Sequence, residues 1–524
     1  MKSQENVTEV LKPLHDNNGK LYLLCIGVGA VTGFIVSFYR LVLSHANDFR
    51  KMIVEDSIFK GPTFIFLVWI AFTVVGLLVE FISRRYPKIS GSGIPQVKGI
   101  LLRQLDYTNW FQELVAKFVS GVMGIGAGLS LGREGPSVQI GSYVGFGATK
   151  VFNRDDVEKK YLVTSGASAG LAGAFGAPLS GVMFALEELH RFISSKLLIC
   201  AFLASIASNF VGRRLFGIKT SFDLIAIFPR QLNPYYQIFL YIILGVILAF
   251  LGKLFTYLLT KTQDVYKKVV CPKWLKVSFV MSTSLLLCYF LPEVTGGGHT
   301  LVEEMVYSQE TIIILATIFV IKLLFTVLSY ATGFAGGIFL PMLVLGAIVG
   351  KIYAIFLIRY MGLPSDLVTH FMVLGMAGYF VAVVRAPITG TVLILEMTGN
   401  FDHLLALATV SIVAYYITDI IGLEPVYEIL YERMPKDINV VNPNNGKKTL
   451  ISVPVLGESE LDGKKISEIL CPEDSLVVSI KRNDRDIIPK GSTEVKGGDL
   501  LILLTPVEKA CETKEAIFKR ATTN

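Results

Sequence analysis

Six apolar runs of about bilayer length dominate the chain, at 20–44, 62–82, 235–260, 276–292, 311–330 and 403–422. About 20 apolar residues cross the hydrocarbon core as a helix, the one open-ended structure that satisfies its own backbone in lipid. Between them lie stretches that Gly and Pro interrupt, at 112–131, 137–151, 160–188, 196–211, 337–358 and 368–398. Of 524 residues, 52% are hydrophobic and 17% charged, and the mean hydropathy is +0.57. The pattern predicts an all-α polytopic membrane protein. Residues 1–19 are polar, without the short apolar core and cleavage site of a removed leader, and are expected to form a cytoplasmic N-terminal segment.

Basic clusters at SRRYPK (83–88), GRRLFGIK (212–219) and KKVVCPKWLK (267–276), with a net charge of +7, read as loops retained on the cytoplasmic side. Because they flank apolar spans, they speak against a nucleic-acid partner. The six cysteines are scattered without a CxxC, and no His sits at metal spacing, so neither a disulfide framework nor a metal site is expected. His190 and His370 read as packing or interfacial residues.

The membrane region repeats itself. APLSGVMFALE (177–187) aligns without gaps to APITGTVLILE (386–396), and GREGPSVQIG (132–141) to GIFLPMLVLG (337–346), at nearly constant offsets. Such duplication is the trace of transporter repeats, whose sites lie at the repeat interface near the midplane. Similarity alone leaves open whether the repeats are inverted or parallel. Glu187 matches Glu396, and both are expected to accept hydrogen bonds from helix ends. Glu134 falls opposite Phe339 and Glu188 opposite Met397. Carboxylates at membrane depth are costly, and two that lack counterparts point to function rather than architecture.

GSGIP (91–95), GREGP (132–136) and GIFLP (337–341) share the form Gly-x-x-x-Pro. Glycine permits a close backbone approach, and proline suits the first helical turn. Each motif is expected to deliver a helix N-terminus inside the membrane. Free N–H groups and the positive end of the helix dipole there suit an anion.

With these motifs the chain resembles the ClC family of chloride channels and proton-coupled chloride transporters. The matching pieces are GSGIPQ, GREGPSVQIG, GAPLSGVMFALEE, GGIFLPMLVLGAIVG, RAPITGTVLILEMTGN and EPVYEILYERM, in the family's order from 91 to 433. The resemblance implies a two-repeat transmembrane domain over 20–435, with broken helices meeting near the midplane. It implies a multi-pass homodimer in the cytoplasmic membrane that moves chloride and protons in opposite directions and needs no cofactor. Ser92 and Tyr427 would offer hydroxyls to the anion, and the backbones of Ile338, Phe339 and Gly135 their N–H groups. Serine at 92 implies chloride over nitrate, since the nitrate-preferring members carry proline there; GSGIP and Tyr427 also favour the chloride pattern over fluoride export. Glu134 would be the external gating and proton glutamate, with Arg133 tuning the outer anion site. Glu188 would be the internal proton-transfer glutamate, usually apolar in the channels. The alternative is an uncoupled voltage- or pH-gated chloride channel of the same fold. An intramembrane enzyme would need a nucleophile or metal cluster that the sequence does not display. After GSGIP come Gln96 and Lys98, where some bacterial exchangers carry acids; Lys98 is placed to pair with Glu188.

Beyond a linker at 436–448, residues 449–524 change character. TLISVPVL (449–456), LDGKKISEIL (461–470), LVVSIKRND (476–484), DIIPKGSTEVKGGDLLILLT (486–505) and PVEKACETKEAIFKR read strand, helix, strand, strand, helix. This small soluble α+β unit resembles the TrkA-type (RCK) C-terminal regulatory domain of potassium channels and transporters. It is expected in the cytoplasm. Both a passive assembly role and the sensing of a small ligand stay open.

Overall fold

A computed structural model of the chain describes residues 18–435 and 448–522, except 192–193, 218–221, 223–225, 227, 230–231, 470, 473, 483–484 and 507–508. The expected N-terminal segment up to residue 17 and the linker over 436–447 lie outside the described residues. The chain divides into two compact units, one up to Pro435 and one from Lys436.

The first unit is helical. In chain order come α1 (Asn18–Lys60), α2 (Pro62–Arg85), α3 (Ile94–Leu101), α4 (Trp110–Gly126), α5 (Glu134–Val151), α6 (Asp156–Phe175), α7 (Pro178–Phe184) and α8 (Ser195–Phe216). The second half repeats the series as α9 (Pro234–Lys268), α10 (Lys273–Phe290), α11 (His299–Tyr307), α12 (Ile312–Ala331), α13 (Phe339–Met361), α14 (Val368–Val384), α15 (Pro387–Thr398) and α16 (Leu404–Ile420). The short α17 (Val426–Glu432) closes the unit. Among the described residues, eight helices are long and apolar enough to cross a membrane.

The interrupted runs break where their sequence demands. Asp155 caps α6 by accepting from Val157 N and Glu158 N at 3.1 and 2.7 Å, and Gly176 ends the helix at φ 73°. Ala177 precedes Pro178, a position that disfavours helical backbone, so the chain restarts as α7. Arg385 (φ 65°), Ala386 and Pro387 break the second run in the same way. Helix α1 exceeds its apolar run, because the amphipathic stretch after residue 44 continues it to 43 residues, about 64 Å at helical rise.

Glycine lets the central helices touch backbone to backbone. A Cβ on Gly141 would lie 2.0 Å from the Gly166 carbonyl oxygen, and one on Gly346 would lie 2.3 Å from that of Gly375. The paired crossings of α5 with α6 and α13 with α14 bury α14 from Thr369 to Val384.

The repeats are inverted. One cavity is lined by Glu188, Arg191, Arg385, Tyr415 and Pro425, so α8 leaves this mouth while its counterpart α16 arrives there. The same geometry corrects one expectation about charge. Clusters 83–88 and 267–276 lie at the joined ends of α2 and α10, where Lys273 Nζ is 3.8 Å from Glu80, and the end of α9 is tied by Asp264 to Arg433 near the chain's exit at 435. Arg213 and Arg214, however, end α8 on the opposite side. The charge bias is a sum over loops, which one cluster can oppose.

Carboxylates staple the halves together. Glu187 accepts from Ile388 N, Thr389 N and Thr389 Oγ1 at 3.1, 2.7 and 2.7 Å. Glu396 accepts from Leu179 N, Ser180 N and Ser180 Oγ at 2.9, 2.7 and 2.5 Å. Each half supplies the acceptor for the other half's helix start. Glu396→Ala should lower stability by about 1–3 kcal/mol, the cost of orphaned donors, read as a lower thermal midpoint in detergent. Glu187→Ala should match it.

The second unit is an antiparallel sheet in the order β1-β4-β2-β3, from β1 (Lys448–Pro454), β2 (Leu476–Arg482), β3 (Arg485–Ile487) and β4 (Leu500–Pro506). Helix α18 (Ala510–Thr522) packs Ile517 and Ala521 on a core with Val453, Ile480, Leu501 and Leu503. The expected helix over 461–470 is only a 3-10 turn at Ile466–Glu468, because Gly463 adopts φ 80° and the segment's N–H groups bond to 491–495 instead. The expected strand over 486–505 is two, β3 and β4, joined by turns.

Asp499, 1% exposed, receives both Arg482 nitrogens at 2.7 Å and the Lys496 N–H at 2.8 Å. Burial pushes its carboxyl up, but the Arg482 hydrogen bonds and the Lys496 N–H outweigh burial and hold it below the usual carboxylate range. A depressed folded-state value makes this stabilisation full above the unfolded value and lost as pH falls through the folded one. Arg482→Ala should therefore destabilise the unit by about 3–5 kcal/mol at neutral pH by stranding a buried charge. Hydrogen exchange over 448–522 in the full chain would measure it, and the difference from wild type should shrink in acid.

Candidate ion pathway

The three Gly-x-x-x-Pro motifs start α3, α5 and α13 with Pro95, Pro136 and Pro341 in the first turn. The N–H groups of Gly132 and Gly337 each donate to the other's carbonyl, at 2.6 and 2.7 Å. That bridge brings the α5 and α13 N-termini together. A Cβ on Gly135 would fall 2.4 Å from Ser92 Oγ, and one on Gly337 would fall 3.3 Å from Gly135 N. Ser92, Gly135 and the α13 start at Ile338 and Phe339 therefore surround one point.

Glu134 is fully buried. A Cβ on Gly132 would sit 2.4 Å from Glu134 Oε2 and 3.1 Å from Leu340 N, so the carboxylate faces the first turn of α13. Neither of its oxygens has a hydrogen-bond partner among the described residues. Arg133 Nε lies 3.9 Å from Oε1, too far for a hydrogen bond. Ser92 and Tyr427, 1% and 0% exposed, carry hydroxyl oxygens equally without partners. Buried polar atoms rarely go unpaired, and these gather at helix starts that present N–H groups. Phe339 walls the place with its ring stacked among Phe175, Phe184 and Phe380. The arrangement can hold an anion, or an acidic side chain in its stead.

Glu188 stands apart on a π-turn, Ala185–His190, that ends α7. It is 2% exposed, with Oε1 unpartnered, and lines the 490 Å³ cavity at the mouth where α8 begins. Lys98 does not take it as partner: its ammonium is ion-paired with Glu428, next to Tyr427 on α17. Arg191 Nη2 joins the same carboxylate at 3.1 Å. Geometry forced the exchange, because α3 packs on α17 and delivers Lys98 there first.

Two buried lysines escaped sequence reasoning. Lys117 donates to the carbonyls of Ile89 and Gly91 at 2.7 Å each. Lys322, at the corresponding place in the second half, donates to Val294 and Gly296 at 2.8 Å each. Each holds the loop before a short helix and places a cation behind its start. Their signal was the same constant offset that relates GREGP to GIFLP. His370 packs as expected, with Nε2 3.0 Å from Tyr241 Oη and Nδ1 2.9 Å from His403.

Inverted repeats, broken helices aimed at one buried point and unpaired acids define a membrane ion-transport protein. The chain belongs to the voltage gated chloride channel family, whose model matches residues 75–419. A TrkA-C domain matches 450–516. The H(+)/Cl(-) exchange transporter ClcA of Vibrio parahaemolyticus is 33% identical over 78% of this chain and 89% of its own. The ClcA of Cronobacter sakazakii is 34% identical over 70% of this chain and 80% of its own. A slow cyanobacterial Cl-/H+ antiporter aligns with TM-score 0.74 at 28% identity, covering 81% of this chain and 99% of that one. A CLC-type fluoride/proton antiporter shares the fold, with TM-score 0.62 at 22% identity over 77% and 96% of the two chains.

Proposed function

We propose that this protein exchanges chloride for protons across the cytoplasmic membrane as a homodimer, with its C-terminal unit in the cytoplasm. The observation that carries the reading is Glu134: a buried carboxylate without a partner, set against the α13 start beside Ser92 and Tyr427. Chloride binds among the Ser92 and Tyr427 hydroxyls and the N–H groups of Gly135, Ile338 and Phe339. Glu134, ionised, takes the anion's place; protonated, it leaves and admits chloride. Arg133 raises the local potential toward the outer mouth. Glu188 passes protons between Glu134 and the cytoplasmic cavity.

Glu188 favours exchange over the uncoupled channel, because burying a carboxylate is costly and a channel gains nothing from it. The names of the exchange-transporter relatives agree. Purified protein in liposomes decides the matter. An imposed chloride gradient should drive protons uphill, and dissipation of chloride without proton movement would establish the channel instead.

A further inference from the structure

We propose that the mouth opposite Glu188 holds a second anion site, apart from the Ser92–Tyr427 path and built for a small oxyanion of the sulfate or phosphate class. Cys25 shares a hydrogen bond with Cys200 near the start of α8, close to the Glu188 mouth. Arg50 lies 25 residues further along α1, about 37 Å at helical rise. There a cavity of about 280 Å³ is lined by Arg40, Arg50, Lys51 and Arg133, the turn Gly297–Gly298–His299, and one acid, Asp48.

Internal symmetry marks this turn. GGGHT (296–300) occupies in the second half the place of GSGIP (91–95) in the first, with Lys322 behind it as Lys117 stands behind Ser92. Gly298 caps α11 at φ 87°, and no side chain caps its first turn. Lys322 Nζ is 3.1 Å from where a Gly298 Cβ would stand. Sequence reading passed over the motif because Thr300 stands where the others have proline.

Arg50 is the independent sign of a ligand. It is 8% exposed, its Nη1 has no hydrogen-bond partner among the described residues, and it lines the cavity. A guanidinium this buried calls for a counter-charge. The planar forks of arginine match two oxygens of one anion, which a halide cannot offer. Leu131 and Leu340 line the cavity floor, on the side of Glu134, and a Cβ on Gly297 would meet Leu340 at 2.6 Å. The site is thus a vestibule beside the chloride path and separate from it.

Calorimetric titration of the purified full-length protein with sodium sulfate at constant ionic strength tests this. Wild type should show one saturable site. Arg50→Met should weaken it roughly tenfold or more, as expected for loss of a charge-assisted pair, while chloride titrates as in wild type. Should Arg50→Met not fold, Lys51→Gln on the exposed rim carries the same test with a smaller weakening. No saturable sulfate binding in wild type, or unchanged sulfate affinity in the variants, overturns the site. Parallel loss of sulfate and chloride overturns its separation from the transport path.

Discussion

Glu134→Gln should pass chloride at a rate that pH no longer changes, and should move no protons against a gradient. The reason is competition. An ionised carboxylate and a halide are rivals for the same N–H groups at the α5 and α13 starts, while an amide is no rival. Hydrogen bonds to a charged group contribute about 1.5–3 kcal/mol each, so removing the rival is worth roughly ten- to hundredfold in anion occupancy. In the wild type the sign follows directly: lowering pH protonates Glu134, vacates the anion position and raises chloride flux. Paired chloride and proton flux from liposomes across a pH series reads both effects. A variant that still follows pH would remove Glu134 from the gate.

Glu188→Gln should keep chloride moving near the wild-type rate while proton movement falls about a hundredfold, the usual contribution of a positioned proton donor. Glu188 lines the inner cavity but stands outside the Ser92–Gly135–Phe339 cluster, so the anion does not need it. Lys98 and Arg191 are both engaged by Glu428, which leaves the Glu188 carboxylate without a salt bridge to quench it. Intact coupling in this variant would place the proton route elsewhere. Together the two variants separate what the anion requires from what the proton requires.

Much of this was legible in the residues. Apolar length gave the spans, and Gly-x-x-x-Pro gave the helix starts, because both express local backbone chemistry. The comparison of Glu187 with Glu396, and of Glu134 with Phe339, separated acceptors from unpaired acids before any coordinates. What escaped depends on distant packing. Lys98 finds Glu428 across 330 residues, and no local pattern announces such a meeting. The direction of the repeats needed the mouth where α8 departs and α16 arrives. In the tail, one left-handed glycine and a competing backbone partner dissolved a helix that composition alone supported.

The crossed carboxylates carry a historical consequence. Glu187 serves only helix α15, and Glu396 only helix α7. A half-length ancestor would therefore have kept its acceptor on one molecule and the need for it on another. Such a chain could mature only in company, with sister copies inserted in opposite orientations. Gene fusion then turned an encounter between two polypeptides into an obligation within one.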